Sequence, residues 1–277
     1  MLRGMAVFSA WLNHHDTRSI NTMDSLIADD GPQHLKHYLL DFGSILGSDG
    51  VGAKEPWAGH EYTLARHEAA VQMVTFGIYT PRWMRSDYPK LTGAGLFDSW
   101  SFDPIAWKSN YPNPAFLMMD REDALWAAKQ VAAFTDDEIR ASVKTGEYSD
   151  QRAADWIVDC LIKRRDKIAH AWFSRVLPLD KFRIADGKLV FDDLSAGRGS
   201  GGAPGYDVRW SSYDNDHRRL TPLPNTSGTK LPPVGSGTDY LAATIVYKGA
   251  AGSSGANPIT VYLRRAGTVF GVVGVDR

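Results

Sequence analysis

Residues 11–24 read WLNHHDTRSINTMD, and residues 38–44 read YLLDFGS. These two segments decide how the first half of the chain is interpreted, because each places a carboxylate at or shortly after the end of an apolar run. In the first segment Asp16 follows the apolar residues 2–12, which we interpret as a mostly buried helix. In the second segment Asp41 ends the run that starts at Tyr38.

The two segments are joined by a predicted β-hairpin. Residues 22–28 and 34–42 flank Asp29-Asp30-Gly31-Pro32, a strong turn cluster. The second flank is a plausible strand that delivers Asp41 at its end. The predicted order is therefore helix, polar loop, hairpin and Asp41.

The rest of the first half is predicted to be helical. Residues 80–120 are rich in proline and aromatic residues and indicate short helical turns and anchored loops. Thr135 and Glu138 have the spacing of a capping box. Ser149-Asp150 begins a long helix with an apolar stripe. The predicted helices are 62–76, 121–133, 135–145 and 149–176.

The composition changes after Pro178, where Gly, Ser, Pro and β-branched residues become frequent. We predict a separate all-β domain of the sandwich or barrel type at 180–277, after a helical domain at 1–179. The fold class is therefore α+β. Residues 220–238 are interpreted as a long loop. The predicted strands are 182–185, 188–192, 206–211, 240–248, 258–265 and 268–275, with turns at Asp186-Gly187 and Ala266-Gly267.

Composition limits the classes of function. Hydrophobic residues make up 43% of the 277 residues and charged residues 23%, which is typical of a globular protein. The net charge of -1 does not favour binding to nucleic acid or to an anionic membrane. No apolar run reaches the roughly 18 residues of a membrane span, and no secretory signal follows Met1. As written, the chain is expected in the cytoplasm; an upstream start would remove that expectation.

The side chains of the two opening segments fit phosphoryl transfer. That reaction needs a carboxylate beside the attacking hydroxyl and oxygen ligands that hold Mg²⁺ against the phosphates. Together the two segments contain carboxylate and amide oxygens, which are hard ligands of the kind that Mg²⁺ prefers.

The order His14-x-Asp16, Asn21, Asp41-Phe42-Gly43 resembles the catalytic loop and the metal-binding triplet of protein kinases. It is closest to atypical kinase-like folds, such as bacterial toxin-type and secretory-pathway kinases. The resemblance implies a C-lobe fold that uses ATP and Mg²⁺. It makes Asp16 the base, His14 a structural histidine of the catalytic loop, and Asn21 and Asp41 metal ligands. It also implies that Gly43 gives the backbone freedom after Asp41.

Most of the chain is also similar to a family of uncharacterised bacterial proteins. This likeness rests on residues 10–16, 37–44 and 144–150, and it implies no activity. The kinase resemblance leaves the phosphate-holding N-lobe to an upstream segment or to a partner chain. We therefore expect weak activity or none from the isolated chain, and the acceptor is open. The pattern Gly197-x-Gly199-x-x-Gly202 lies between predicted strands and before Pro204, so it is interpreted as a linker.

Two alternatives stay open. One is a non-catalytic binding protein with a vestigial kinase-like loop, whose β domain makes the contacts. The other is a metal-dependent hydrolase, for which the sequence offers as ligands His14, His15, Asp16, Asp41, His60 and His67.

Two features of the long helix have structural interpretations. Cys160 lies on the apolar stripe and is expected to be a core thiol. The charged run at residues 163–167 is expected to be a solvated helix face.

Overall fold

The computed structural model describes residues 2–28, 31–196, 205–248 and 257–277. The chain is of mixed α+β class and divides into two compact units, the first ending at Ala171 and the second beginning at Trp172. Across the described ranges, none of the helices has both the length and the apolar character needed to cross a bilayer.

The first unit is largely helical. Its first helix begins at Met5 rather than at residue 2, and the helix predicted at 62–76 is shorter and has no fully buried side chain. The helices of the described residues are α1 (Met5–Leu12), α2 (Arg66–Val74), α3 (Pro114–Leu117), α4 (Arg121–Ala133), α5 (Asp136–Lys144) and α6 (Gln151–Phe173).

Helices α4 and α5 begin where polar side chains satisfy the free amides of the first turn. The predicted capping box of α5 is confirmed: Thr135 accepts from the amide of Glu138, and the Glu138 carboxylate accepts from the amide of Thr135. Helix α4 has the same arrangement with Asp120 and Asp123. Each such cap contributes about 1 kcal/mol, because it removes unpaired backbone donors at the helix start.

Helix α6 buries more than its apolar stripe. Cys160 is fully buried, as expected for a core thiol, and burial raises its pKa to about 12. The prediction that residues 163–167 form a solvated face is wrong, because Arg164 and Arg165 are only 4% and 7% exposed. Lys163 and Asp166 do fit the prediction, with side chains that are 58% and 54% exposed.

Arg164 joins three parts of the first unit. Its Nε donates to the carbonyl of Trp11 at 2.9 Å, and its Nη2 donates to the carbonyl of Ala10. Its Nη1 donates to the carbonyl of Asp98 at 2.8 Å. The guanidinium also lies 3.7 Å from the ring centroid of Phe102. The end of α1, the loop around Asp98 and the middle of α6 are therefore fixed by one side chain.

The predicted hairpin is present as β1 (Thr22–Ile27) and β2 (His34–Leu39), which pair antiparallel. Asp29 and Asp30 of the predicted turn lie outside the described residues. The second strand ends at Leu39, two residues before Asp41, so the chain leaves the sheet before it reaches the carboxylate.

The second unit is built from antiparallel strands. A two-stranded sheet pairs β3 with β4, and a five-stranded sheet has the order β6-β5-β7-β8-β9. Trp210, Leu241 and Leu263 of the large sheet share one buried core with Leu179 and Leu189 of the small one. The strands are β3 (Leu179–Ala185), β4 (Lys188–Asp193), β5 (Tyr206–Asp214), β6 (Arg219–Ser227), β7 (Tyr240–Tyr247), β8 (Ile259–Ala266) and β9 (Val269–Asp276).

The interpretation of residues 220–238 as one long loop is wrong for its first part, which forms β6. Pro222 and Pro224 argued against a strand, but β6 lies at the edge of the sheet, where a missing amide donor is tolerated. The hairpin turn predicted at Asp186-Gly187 is confirmed between β3 and β4. Both residues have positive φ, 50° and 68°, as a two-residue turn of this type requires.

We expect the substitution Arg164→Met to destabilise the protein by about 3–5 kcal/mol, because three buried carbonyls lose their donor. Chemical denaturation followed by tryptophan fluorescence measures this change. The matched control is Lys163→Met, which removes an exposed ion pair with Asp159 and should cost less than about 1 kcal/mol. Equal, small effects of the two substitutions would contradict the role given to Arg164.

Candidate functional site

The candidate site begins where α1 ends. Asn13 adopts the left-handed conformation with φ of 51° and closes the helix. Its side chain is buried, and its Oδ1 accepts a hydrogen bond from the indole of Trp107 at 2.8 Å. Gly59 packs so closely here that a Cβ at that position would lie 2.1 Å from the Asn13 Oδ1. The entry into the loop is therefore fixed on several sides.

The residues that follow are held from behind by residues 107–113. The amide of Asn110 donates to the carbonyl of His15 at 2.8 Å, and the Asn113 side chain donates to the carbonyl of Thr17 at 3.1 Å. The indole of Trp107 also donates to Asn13. Every second residue from Asn13 to Thr17 therefore accepts a hydrogen bond from residues 107–113. Sequence reasoning placed residues 107–113 among packing loops and missed this supporting role.

The Asp16 carboxylate is bound by Arg18. The Nε of Arg18 donates to Oδ1 at 2.7 Å, and Nη2 donates to Oδ2 at 2.9 Å, which is a bidentate pair. The Arg18 side chain is 47% exposed and lies 5.4 Å from the ring centroid of Tyr111. The role of Arg18 was not predicted from the sequence, although an arginine two residues after a candidate catalytic aspartate is a signal that could have indicated it.

Asn21 connects the Asp16 loop to the segment that carries Asp41. Its Nδ2 donates to the backbone carbonyl of Asp16 at 2.9 Å. Its own carbonyl accepts from the amide of Leu40 at 2.8 Å. One asparagine thus fixes the distance between the two segments that the sequence singled out.

Asp41 is exposed and adopts the left-handed conformation with φ of 54°. A short polar side chain tolerates this conformation better than most residues do. Its Oδ1 accepts from the amide of Gly43 at 3.4 Å and so caps the short 3-10 helix at Phe42–Ser44. The prediction that Gly43 supplies the backbone freedom is wrong, because the positive φ belongs to Asp41 and Gly43 lies within that helix.

His14 is the buried centre of this arrangement. It is 1% exposed, and its ring packs on Phe42 with centroids 5.2 Å apart. Neither ring nitrogen has a hydrogen bond of good geometry. Burial lowers the pKa of His14, while the Leu40 carbonyl and the charges of Asp16 and Asp41 oppose this shift. Both carboxylates therefore lie close enough to the same ring to act on its charge.

His15 points to a different partner. Its Nε2 lies 3.3 Å from Oδ1 of Asp49, which also accepts from the Ser44 hydroxyl at 3.4 Å. Burial and the charge of Lys54 lower the pKa of His15, and Asp49 opposes them. Asp49 thus ties the segment after Asp41 to the Asp16 loop, a role that the sequence did not reveal.

The ligands of the alternative metal site do not come together. Among the described residues no group of three His, Cys, Asp or Glu side chains is arranged to hold a metal ion. His67 is exposed on α2, and His60 stacks on Trp83 with centroids 6.5 Å apart. By contrast, Asp16, Asn21 and Asp41 are linked through the bonds described above.

A second polar cluster lies in the first unit, and sequence reasoning missed it because its members are far apart in the chain. The Ser101 hydroxyl lies 2.8 Å from Oδ2 of Asp98 and 3.3 Å from Nε2 of His60. Burial raises the pKa of Asp98, but hydrogen bonds from Ser101 and the charge of Arg164 outweigh it and lower the pKa. The buried amine of Lys54 donates to the carbonyl of Ala58 at 2.8 Å, and burial lowers its pKa to about 7.

Comparison with protein-family models, with curated proteins and with solved structures gave no match to this chain.

The second cluster makes stability depend on pH. Burial lowers the pKa of His60 to about 4, below its ordinary value of 6.5. As the pH falls from 6.5 to 4, His60 is protonated in the unfolded chain before it is protonated in the folded chain. The free energy of unfolding therefore falls by about 2–3 kcal/mol over this range. We expect His60→Gln to remove this part of the pH dependence of the unfolding free energy.

The measurement is a series of denaturation curves between pH 4 and 7. The control His67→Gln changes an exposed histidine on α2 and should leave the slope of the wild-type protein unchanged. If both variants keep that slope, His60 is not the group that titrates.

Proposed function

We propose that this chain carries the catalytic and metal-binding side chains of a kinase-like phosphotransferase that uses ATP and Mg²⁺. The observation that carries the proposal is the link from Asp16 through Asn21 to Leu40, which brings the Asp16 loop beside Asp41. Phosphoryl transfer depends on such positioning of a few charged groups rather than on covalent chemistry by the protein.

Asn21 and Asp41 fit the role of magnesium ligands. The Asn21 amide uses its nitrogen to bind the Asp16 carbonyl, which leaves Oδ1 without a donor among the described residues. Asp41 is exposed, and from the part of the chain that the structure describes its carboxylate accepts one hydrogen bond, the long one from the amide of Gly43. Both groups thus offer hard oxygens to solvent, and Mg²⁺ needs few protein ligands because it keeps several waters. When bound, the ion would neutralise charge on the phosphates.

Asp16 and Arg18 fit the roles of base and phosphate partner. Asp16 can accept the proton of an acceptor hydroxyl, and the bidentate pair holds its carboxylate in a fixed direction. Nε and Nη2 of Arg18 are used by that pair. The Nη1 group has no hydrogen-bond partner among the described residues, so it can donate to a phosphate oxygen, as arginines commonly do where negative charge develops.

His14 fits a positioning role. A buried ring packed on Phe42 sets the position of the residue directly after Asp41. Because burial lowers its pKa, His14 is neutral near pH 7 and adds no charge behind the two carboxylates. We therefore assign it to the support of the site and not to proton transfer.

The side of the site that would face the nucleotide has exposed apolar groups. Ile20 is 78% exposed and Phe42 is 50% exposed, and both lie within the linked segments. We propose that a further segment or a partner chain covers them and supplies the contacts that hold the phosphates. The chemical class of the acceptor is not part of the proposal.

A second candidate is a non-catalytic binding protein that keeps the loop as a vestige. The observation that favours it is that both oxygens of the Asp16 carboxylate already accept a hydrogen bond from Arg18, so a substrate hydroxyl would have to share them. The two candidates differ in whether nucleotide and metal bind near Asp41. The metal-dependent hydrolase is not supported, since the described residues hold no cluster of three suitable ligands.

The first test of the proposal is binding of nucleotide and metal. We expect Mn²⁺ with ATP to broaden the NMR signals of residues around Asn21 and Asp41, with a dissociation constant of about 1 mM or tighter. Asp41→Ala should abolish the broadening because it removes the principal oxygen ligand. The control Asp24→Ala removes an exposed carboxylate of the hairpin that pairs with His37, and it should bind like the wild type.

Two results would contradict the proposal. One is a folded wild-type chain that shows no localised broadening up to millimolar ATP. The other is equal broadening in the Asp41→Ala and wild-type chains. The first result favours the vestigial loop, and the second places the nucleotide elsewhere.

The second test separates chemistry from binding. In whichever preparation shows ATP turnover, Asp16→Asn should lower the rate by about 10²–10⁴-fold because it removes the base. The affinity for ATP should change by less than about threefold, since the amide keeps the size of the side chain. The Asp24→Asn protein is the control for both quantities. A rate that survives Asp16→Asn would remove Asp16 from the mechanism.

A further inference from the structure

The β unit contains a cavity of about 370 Å³ that the proposed function does not use. Its walls are the end of β5 with the turn that follows, residues 212–216, and the segment 237–240 that leads into β7. A volume of this size falls at the small end of the range for small-molecule pockets, about 300–1,000 Å³. The cavity therefore suits a ligand of one or two rings.

Two tyrosine rings form part of the lining. Tyr213 and Tyr240 lie with ring centroids 6.4 Å apart and planes at 87°, so the edge of one ring meets the face of the other, and both residues line the cavity. The Tyr213 ring is fixed from the other side by Tyr262, with centroids 4.7 Å apart. Half-buried tyrosines give a flat apolar surface with a polar tip, at low entropic cost to binding.

The remaining lining is polar and of mixed character. Ser212, Thr221 and Thr238 offer hydroxyl groups, and Asp216 and Asp239 offer exposed carboxylates. Hydroxyls both donate and accept hydrogen bonds, while carboxylates accept only. A ligand that carries several hydroxyl groups of its own can satisfy both kinds of group at once.

The cavity wall at residues 235–239 is held in place. The guanidinium of Arg265 donates to the carbonyls of Thr238 and Gly235, both at 2.9 Å, and lies 4.7 Å from the ring centroid of Phe270. The amide of Arg265 donates to the carbonyl of Asp239 at 2.8 Å. Binding to a wall that is already ordered loses less conformational entropy than binding that must first order the wall.

Charge decides between a neutral and a cationic ligand. Asp214, the third carboxylate of the lining, is paired with His217 at 2.8 Å and also caps the turn. The guanidinium of Arg264 lies 5.9 Å from the Tyr240 ring centroid, so a protein cation already stands beside this ring. A ligand that packs against the ring would meet that positive charge, which favours an uncharged ligand over a cationic one.

We propose that this cavity binds a neutral carbohydrate of one or two sugar units. The apolar C–H face of a sugar ring would pack against the exposed parts of Tyr213 and Tyr240, and its hydroxyl groups would donate to Asp216 and Asp239. The β unit would then act as a sugar-binding module. This assignment is independent of phosphoryl transfer by the first unit.

The test is saturation-transfer NMR on the full chain with glucose, galactose, N-acetylglucosamine, lactose and cellobiose. We expect at least one of these sugars to bind with a dissociation constant of about 0.1–5 mM. Tyr240→Ala should abolish transfer, and Asp239→Asn should weaken binding about tenfold because it removes a charged acceptor. The matched control is Tyr247→Ala on the same strand, which removes an exposed tyrosine outside the cavity and should leave binding unchanged.

Asp239→Asn is nearly isosteric and exposed, so it decides the question even if Tyr240→Ala does not fold. Three outcomes overturn the proposal. They are no transfer from any of the five sugars, sugar binding that Asp239→Asn leaves unchanged, and binding of 1,4-diaminobutane in place of sugar. The last would identify the cavity as a site for organic cations.

Discussion

The first unit depends on the burial of one guanidinium. Arg164 is 4% exposed, and transfer of a charged group from water to such a position is costly. The cost is offset because three backbone carbonyls and the faces of Phe97 and Phe102 surround it, with Asp98 close by. Two of these carbonyls belong to the last turn of α1, directly before Asn13. The position of the candidate site is therefore set from α6, about 150 residues away along the chain.

The loop after Asn13 shows how a short motif can serve two purposes. Asn13, His15 and Thr17 accept bonds from the supporting segment 107–113, so the alternate residues His14 and Asp16 make their contacts elsewhere. His14 packs on Phe42, and Asp16 binds Arg18. The same short segment therefore anchors the loop to residues 107–113 and presents His14 and Asp16 to the candidate site.

The features that were predicted correctly from the sequence are those that interactions between nearby residues control. The capping box of α5, the turn at Asp186-Gly187 and the hairpin before Asp41 follow from short-range hydrogen bonding and backbone conformation. The buried state of Arg164 could not be predicted, because five charged residues in a row look the same whether or not distant carbonyls surround them. The contacts among Lys54, His60, Asp98 and Ser101 were hidden for the same reason. Within the site, the sequence picked out Asp16, Asn21 and Asp41, but not the arginine and the aspartate that hold them in place.

Strand β6 has a consequence for how the β unit behaves in a crowded solution. An edge strand normally offers a row of free amides to which another chain can add a strand, and this is one route to aggregation. Pro222 and Pro224 supply no amide donor, and the pairing of β6 with β5 shifts register between Arg209 and Ser211. Prolines and β-bulges at the edge of a sheet disfavour the addition of a further strand. The prolines that hid β6 in the sequence thus also make its edge a poor template for another chain.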